Sequence, residues 1–566
     1  MLIKDWRDIE NGQVIPTEKG GYCDQPSLTV LSDGSWLCSV TTSGGLEGSA
    51  AQYVSVMRSR DKGRSWSAPR RLEPMEDGRC WESSYSKLIT GPDGTVFCFY
   101  CYNDRHLTAK EAGFPRIDMG VSFCCRYSRD GGESWSERKK IPVDDTLLDR
   151  TMPHISPSGE KVPLYWNVAR VLIHDGAVYV PLTKLGNRDG FMSHGEGLLL
   201  KSDSLLSDPD HAAWVTLPEG GCGITGVEGF DTVSEEHCYV ILASGVVVCT
   251  FRTANGRSGC ALSHDCGRSF GKPFLLRYPD GREVKNTRAN NTFWDIGGGR
   301  YLYWFTNCGR RGYYPRNPAW LCAAVEEGGA LRLSQPEIVL YTVVPGSGFS
   351  YPDIIVEAER IYISETQKSI ARIHEIPMSF IDSVFRQFDP SARLDIPPDA
   401  VLRPGVNAVG PLEIYREFEL RPDYVTPGLT FDFDIDFRGA QSVLEAIDGC
   451  DCGIAIRVGA QGRLEAEISE ARETIYLRSE RCLIPGVNHV SVVFDFVAGV
   501  AYFVVNGRLL DGGSEHECGW RLISRGISGA GAPDCAVVHP DIPLVKVYFR
   551  ALSVTDCVLA APGNAR

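Results

Sequence analysis

The first two-thirds of the chain is built from short apolar runs separated by turn residues. A strand-like run, a turn containing Gly and a second strand-like run recur at 27–40, 87–100, 171–181, 238–250, 294–304 and 353–364. Gly next to Asp, Ser or another Gly between two β-type runs is typical of hairpins. The pattern therefore predicts an all-β unit made of six repeated hairpins.

A second β-rich unit follows a segment rich in proline. Residues 393–411 contain Ile-Pro-Pro, Arg-Pro-Gly and Gly-Pro, and they predict a linker. Beyond it, residues 429–437 carry an apolar side chain at every other position, as a half-buried strand does. The predicted domains are thus 1–392 and 412–566, and the second resembles a laminin-G or concanavalin-like β-sandwich (jelly roll). Carbohydrate binding and a packing or oligomerisation role are the two open functions for it.

One turn sequence occurs three times in the first unit. The pattern Ser-x-Asp-x-Gly-x-Ser-aromatic occupies residues 59–66, 128–135 and 263–270. Its Asp bonds the local backbone, and its Gly accepts positive φ. Such repetition indicates a repeated hairpin. The pattern is the Asp-box, and with it the first unit resembles the sialidase-like (neuraminidase-like) β-propellers. The resemblance implies a six-bladed propeller, here followed by the β-sandwich, and a glycosidase activity.

The resemblance also implies site residues. The family uses a Tyr nucleophile activated by a Glu, an Asp acid/base and three arginines that bind the substrate carboxylate. The segment 235–252 resembles the family's Glu, hydrophobic hairpin and Arg, and it assigns Glu236 as the base and Arg252 as the second arginine. Arg316 takes the place of the third arginine, with Arg310 and Arg311 as nearby alternatives, and Tyr351 takes that of the nucleophile. The alternative for each is structural: a solvated Glu, surface arginines and a core aromatic.

These residue types suit an acidic sugar. A neutral phenol approaches an anionic substrate without the repulsion that a carboxylate would meet. A planar guanidinium donates two parallel hydrogen bonds to a carboxylate.

Two positions depart from the family pattern. The loop 42–52, where the family has its acid/base Asp, carries Glu47 as its one carboxylate. At the place of the first clamp arginine the chain has Asp24, followed by Gln25, and an Asp would repel a substrate carboxylate. Asp24 instead suits hydroxyl recognition or a catalytic role, so the substrate need not be sialic acid.

The remaining candidates for sugar binding are polar or aromatic residues near the predicted inner strands: Gln25, Gln52, Trp81, Glu82, Arg116, Asp118, Asn167, Arg170 and Arg288.

Composition limits the class of protein. A chain of 566 residues exceeds one ordinary core, which favours at least two domains. The net charge of −14 argues against nucleic acid or an anionic membrane as a partner. The first residues lack an apolar signal segment, so we expect a cytoplasmic protein with reduced cysteines. No His or Gly-rich pattern has metal or nucleotide spacing, and no cofactor or metal is expected.

Together these features predict an exo-acting glycoside hydrolase. We expect a sialidase-like retaining mechanism that removes a terminal, acidic sugar from an oligosaccharide, with Glu47 or Asp24 as the acid. Two alternatives stay open: a hydrolase or lyase acting on a uronate- or deoxysugar-containing glycan, and a glycan-binding propeller without turnover. A homo-oligomer formed through the β-sandwich is a possible partner arrangement.

Overall fold

The computed structural model describes residues 5–18, 21–50, 52–75, 78, 81–120, 122–186, 192–408, 428–447, 453–470, 473–523 and 535–562. Helices are short in these ranges: α1 (Ala109–Ala112), α2 (Leu147–Thr151), α3 (Met378–Phe385) and α4 (Val554–Ala560), with 3-10 turns at Ile9–Asn11 and Arg386–Phe388. Across the same ranges, no helix has the length and apolar character needed to cross a membrane.

The described strands between residues 13 and 377 form six antiparallel sheets. β1 (Gln13–Ile15) belongs to the last of them. Sheet 1 contains β2 (Tyr22–Val30), β3 (Trp36–Ser43), β4 (Tyr53–Ser59) and β5 (Arg70–Arg71). Sheet 2 contains β6 (Ser83–Thr90), β7 (Val96–Tyr102), β8 (Ser122–Ser128) and β9 (Lys139–Lys140). Sheet 3 contains β10 (Tyr165–Trp166), β11 (Leu172–His174), β12 (Ala177–Gly186), β13 (His194–Ser202) and β14 (Val215–Leu217).

The other three sheets continue the series. Sheet 4 contains β15 (Glu235–Ile241), β16 (Val247–Arg252), β17 (Ser258–Ser263) and β18 (Phe274–Leu275). Sheet 5 contains β19 (Thr292–Asp295), β20 (Arg300–Phe305), β21 (Ala319–Glu327), β22 (Ala330–Leu333) and β23 (Glu337–Leu340). Sheet 6 contains β24 (Ser350–Val356), β25 (Arg360–Thr366) and β26 (Ala371–Pro377), and β1 pairs with β26.

The six sheets pack in a closed ring. Each neighbouring pair shares an apolar cluster. The ring closes between sheets 6 and 1, where Trp36 packs edge-on against Tyr362 with 4.7 Å between the ring centres. This arrangement is a six-bladed β-propeller, and it confirms the predicted fold class.

The three copies of the repeated turn sequence join the third and fourth strands of sheets 1, 2 and 4. In the first copy Ser59 Oγ bonds Asp61, and the Asp61 carboxylate accepts the N–H and hydroxyl of Ser65 at 2.8 and 2.6 Å. Asp130 and Asp265 make the same bonds. These hydrogen bonds hold the pKa of each Asp below its ordinary value. The turns lie at the strand ends opposite to the loop that carries Glu47.

The remaining strands form two sheets that face each other around one apolar core, a β-sandwich. In chain order they are β27 (Ala400–Leu402), β28 (Gly405–Ala408), β29 (Gly428–Phe437), β30 (Gln441–Ile447), β31 (Gly453–Val458), β32 (Arg463–Glu470), β33 (Glu473–Arg481), β34 (Gly486–Asp495), β35 (Val500–Val505), β36 (Arg508–Leu509), β37 (Trp520–Leu522), β38 (Cys535–Val538) and β39 (Val545–Tyr548).

Part of the predicted linker at 393–411 is regular structure. β27 pairs with β39, and β28 pairs with β38, so residues 400–408 provide strands at the edges of the two sandwich sheets. Their prolines flank the paired residues, which is why the segment reads as a linker in sequence. Residues 409–411 lie outside the described ranges, and the domain boundaries themselves stay a prediction.

The sandwich packs on sheets 4 and 5 of the propeller. The apolar residues of the sandwich and of these two sheets form one cluster. In it, the ring centres of Trp320 of the propeller and Trp520 of the sandwich lie 6.3 Å apart. Arg282 adds an ion pair to Asp511 at 2.8 Å. The two units therefore meet through a mixed apolar and charged interface.

Candidate active site

Four first strands of the propeller sheets carry the same irregularity near their beginning. Gln25, Tyr85, Glu236 and Tyr351 have φ of 53°, 59°, 54° and 48°. In each strand the pairing register shifts across this residue. A bulge of this kind changes the direction of one side chain. Left-handed backbone at a bulky residue costs free energy, and such strained residues are retained mainly at functional sites. The bulges thus indicate where the functional side chains gather.

Two of these bulge residues contact each other directly. Tyr351 donates its phenolic hydrogen to Glu236 Oε1 at 2.8 Å, and both side chains are buried. Burial raises the pKa of Glu236, although Arg252 and Arg316 oppose the shift. Burial and the charge of Glu236 also raise the pKa of Tyr351. The pair therefore places a protonated phenol against a carboxylate that is suited to take its proton.

Two predicted arginines are bound by carboxylates. Arg252 Nη1 lies 2.7 Å from Glu236 Oε1, and its Nε lies 2.8 Å from Glu235 Oε2. Arg288 Nη2 lies 2.6 Å from Glu235 Oε1. Glu235 therefore orients both guanidinium groups and neutralises much of their charge.

Arg316 has a different environment. It donates to Ser350 Oγ at 2.6 Å, to the Tyr313 carbonyl at 2.9 Å and to the Arg288 carbonyl at 3.3 Å. Across the described part of the chain, no carboxylate forms an ion pair with Arg316, although its side chain is only 6% exposed. A buried cation held by neutral acceptors is a ready partner for an anionic ligand.

A cavity of about 350 Å³ lies beside these groups at one end of the ring. Four residues that the sequence assigned to the site lie in its walls: Glu47, Arg252, Arg316 and Tyr351. The lining residues that the sequence set did not assign to the site are Met192, Tyr313, Tyr314, Gly346, Ser347, Gly348, Ser350, Gln367 and Lys368, and Arg116 was named as a candidate without a role.

Lys368 is the principal residue that sequence reasoning missed. Its ammonium group lies 2.6 Å from Asp24 Oδ2, 3.3 Å from Glu47 Oε2 and 4.5 Å from the ring centre of Tyr351. Lys368 lies in the turn between β25 and β26. In both sheet 6 and sheet 1, the loop between the second and third strands carries a residue of the site: Lys368 in the first case and Glu47 in the second. This equivalent position is the signal that could have identified Lys368 from the sequence.

Asp24 is positioned behind this lysine. Besides Lys368, its carboxylate accepts the hydroxyl of Tyr22 at 2.6 Å and the N–H of Gln25 at 3.0 Å. Burial raises the pKa of Asp24, and Lys368 opposes that shift. Asp24 is not among the cavity-lining residues, so it orients a cation where the family pattern has an arginine. The negative charge of Asp24, which was expected to repel a substrate carboxylate, is thus paired with the ammonium group of Lys368.

Glu47 reaches the cavity from its loop and contacts two cations. Arg116 Nη1 lies 3.0 Å from Glu47 Oε1, and Lys368 approaches the other oxygen. Burial alone would raise the pKa of Glu47, but Lys368 and Arg116 lower it to about 2. Glu47 is therefore ionised at neutral pH.

Other predicted residues support the cavity from behind. Gln52 accepts the N–H of Gly48 at 3.0 Å and donates to Ser84 at 2.7 Å, so it braces the loop that carries Glu47. Gln25 is buried, and its Oε1 finds no hydrogen-bond partner in the described residues.

Arg170 was predicted as a sugar-binding residue, and the structure places it elsewhere. Its Nη1 lies 2.9 Å from Asp353 Oδ1 and also donates to the Ile354 carbonyl. It lines a separate cavity where the first strands of the sheets end. Arg170 does lie beside an inner strand, as the sequence predicts. It is, however, at the end of the ring opposite to the candidate active site.

Comparisons with known proteins give similarity in fold. No family model and no curated protein matches the chain. Among solved structures, the chain is similar to a protein of unknown function from Dyadobacter fermentans, at 15% identity over 64% of this chain and 97% of that chain, with a TM-score of 0.46.

Two sialidase structures are also similar. A mutant of the NanB sialidase from Streptococcus pneumoniae shows 13% identity over 65% of this chain and 70% of that chain, with a TM-score of 0.46. The Trypanosoma rangeli sialidase, in complex with 2,3-difluorosialic acid, shows 12% identity over 97% and 95% of the two chains, with a TM-score of 0.45.

Proposed function

We propose that this protein is a retaining exo-glycosidase that releases a terminal acidic sugar from an oligosaccharide. The observation that carries the proposal is the buried hydrogen bond between Tyr351 and Glu236, which borders a cavity lined by Arg316, Arg252 and Lys368. A phenol paired with a base is an unusual nucleophile, and it suits a substrate that carries negative charge near the reacting carbon.

In the first step Tyr351 Oη attacks the anomeric carbon while Glu236 accepts the phenolic proton. Glu47, which takes up a proton from solvent when the substrate binds, donates that proton to the leaving oxygen as the bond to it breaks. In the second step Glu47 takes a proton from water, the resulting hydroxide attacks the anomeric carbon, and Tyr351 departs and recovers its proton from Glu236. Two displacements at one carbon retain its configuration.

The cations have separate roles in this proposal. Arg316, which has no carboxylate partner in the described residues, binds the sugar carboxylate, and Arg252 and Lys368 add positive potential. The arriving anion also competes for Lys368. Since a neighbouring negative charge disfavours a second one, substrate binding raises the pKa of Glu47 and helps it to take up the proton that it later donates.

The test is covalent trapping. The wild-type protein is incubated with a panel of aryl glycosides of acidic sugars and with their fluorinated analogues, and the labelled peptide is mapped by mass spectrometry. We expect a label on Tyr351, which the Tyr351→Phe variant lacks. Glu236→Gln keeps the shape of the site and should label at least 100-fold more slowly, since a base contributes about 10²–10⁴-fold. Label on another residue, or product release by Tyr351→Phe at the wild-type rate, contradicts the tyrosine mechanism.

The ionised state of Glu47 favours one second candidate, a glycan-binding propeller that holds an acidic sugar without cleaving it. In that case calorimetry detects saturable binding that depends on Arg316, while prolonged incubation yields no product and no label. Turnover of any member of the panel excludes this candidate.

A further inference from the structure

Two cysteines lie on opposite sides of the interface between the propeller and the sandwich. Cys308 is in the loop between β20 and β21, which also carries Tyr313 and Arg316 of the candidate active site. Cys518 lies just before β37 of the sandwich. Both thiols are free. The proposed function assigns no role to either residue.

Hydrogen bonds on each side bring these two segments together. The N–H of Gly309 donates to the Glu517 carbonyl at 2.6 Å, and Trp520 Nε1 donates to the Asn307 carbonyl at 2.9 Å. The residue number rises in one segment while it falls in the other, so the segments run antiparallel. This register sets Cys308 opposite Cys518. A Cβ on Gly309 would lie 3.2 Å from the Glu517 carbonyl, which shows how closely the two backbones approach.

The two sulfurs differ in chemical character. The neighbouring Cys308 thiol is the main cause that lowers the pKa of Cys518, with a further contribution from the charge of Lys285. Lys285 is held near Cys518 by hydrogen bonds to the carbonyls of Asp511 and His516, at 2.6 and 2.7 Å. The same thiol contact raises the pKa of Cys308. Cys518 is thus the better nucleophile of the pair.

The two thiols also differ in their accessibility to solvent. Cys518 is half-buried at the rim of the interface, whereas Cys308 is buried in the apolar cluster shared by the two units. A small reagent therefore meets Cys518 first.

We propose that Cys308 and Cys518 are a dithiol site that forms a reversible disulfide between the propeller and the sandwich. The oxidant is a low-molecular-weight disulfide such as glutathione disulfide. The Cys518 thiolate attacks one of its sulfurs, and one glutathione thiolate leaves. Cys308 loses its proton to solvent and attacks the Cys518 sulfur of the mixed disulfide, and the second glutathione thiolate leaves. Two protein thiols are oxidised, and one disulfide is reduced to two thiols.

The bond has a structural consequence for the cavity. It ties the loop that carries Tyr313 and Arg316 to the sandwich, so oxidation restrains one wall of the candidate site. The inference does not depend on the proposed glycosidase activity, because the dithiol can be tested in the absence of any sugar.

The experiment is oxidation of the folded, full-length protein by glutathione disulfide, followed by alkylation and peptide mapping under non-reducing conditions. We expect one linked peptide pair containing Cys308 and Cys518 and a rise in Tm of about 3–8 °C that a reducing agent reverses. Cys518→Ser and Cys308→Ser should show neither change. Cys222→Ser is the matched control, because Cys222 is an exposed thiol remote from the interface, and it should behave as wild type.

A second probe covers the case in which a variant folds poorly. Phenylarsine oxide bridges two adjacent thiols, and one equivalent should protect both Cys308 and Cys518 of the wild-type protein from alkylation. The proposal is overturned if both cysteines stay independently alkylatable after oxidation, if they form separate glutathione adducts, or if the arsenical protects neither of them.

Discussion

The Lys368 ammonium group holds two carboxylates of the site, and its removal should change the protonation of both. Lys368→Met preserves most of the side-chain length and removes the charge that lies 3.3 Å from Glu47 and 2.6 Å from Asp24. We expect the pKa of Glu47 to rise from about 2 toward its ordinary value, because Lys368 is the largest of the causes that lower it.

The magnitude follows from the distance. Two unit charges 3.3 Å apart attract by about 1.3 kcal/mol in water and by about 5 kcal/mol at an effective dielectric constant of 20. The Glu47 side chain is 36% exposed, so screening favours the lower part of this range. A loss of about 1–3 kcal/mol corresponds to a rise of roughly one to two pKa units.

Asp24 requires a second variant. Without Lys368 it is a buried carboxylate that has lost its cation, and this costs stability. The double variant Asp24→Asn, Lys368→Met removes the unpaired charge and leaves the effect on Glu47. Lys272→Met is the matched control, since Lys272 pairs with Glu228 at an exposed site.

The assay is carboxyl carbon NMR of protein labelled at Glu, with the free energy of unfolding measured from pH 6 to pH 2. The folded pKa of Glu47 lies below the unfolded one, so its stabilising effect is present above about pH 4.3 and is lost as pH falls toward 2. The double variant should lose less stability than wild type over this interval. An unchanged Glu47 titration in both Lys368 variants would refute the reasoning.

Three further outcomes are expected. Arg316→Ala should weaken binding of an acidic sugar about 100-fold or more, measured by calorimetry, and equal weakening for a neutral sugar would contradict a carboxylate role. Burial raises the pKa of Glu337 to about 7, so its stabilising contribution is present below pH 4.3 and is lost as pH rises through 7; Glu337→Gln should show a smaller fall in Tm between pH 5 and pH 8. Gly132→Ala should destabilise more than Gly245→Ala in urea unfolding, because both have φ near 87° but only the Gly132 Cβ would meet a side chain, Leu37, at 2.9 Å. Equal losses of unfolding free energy in the two variants would show that the left-handed backbone alone causes the destabilisation.

The sequence was informative where a function resides in a local segment. Glu236 and Tyr351 each lie in a short stretch that resembles a family pattern, and the structure joins them although 115 residues separate them. Their catalytic roles stay predictions.

Sequence reasoning did not find a long-range pairing of charges at the site, and the consequence of Asp24 for the substrate stays a prediction. Asp24 looked incompatible with an acidic substrate because its partner Lys368 lies 344 residues away, and no local pattern links them. The predicted position of Arg170 in the sugar site differs from the structure for a related reason. Its position beside an inner strand was visible in sequence, but the end of the ring that it faces depends on where the strand begins and ends.

The pairing of β1 with β26 has a consequence for how the chain is made. The last sheet combines residues 13–15 with residues 371–377. During synthesis β1 therefore has no pairing partner in this sheet until the ribosome has added more than 350 further residues. Until then sheet 1 exposes to solvent the apolar flank that sheet 6 covers in the complete ring. Contacts this distant in sequence form slowly, and exposed sheet surfaces in the interim favour aggregation. A nascent chain paused before residue 371 should therefore be a strong chaperone client, and release of the completed ring should end that dependence.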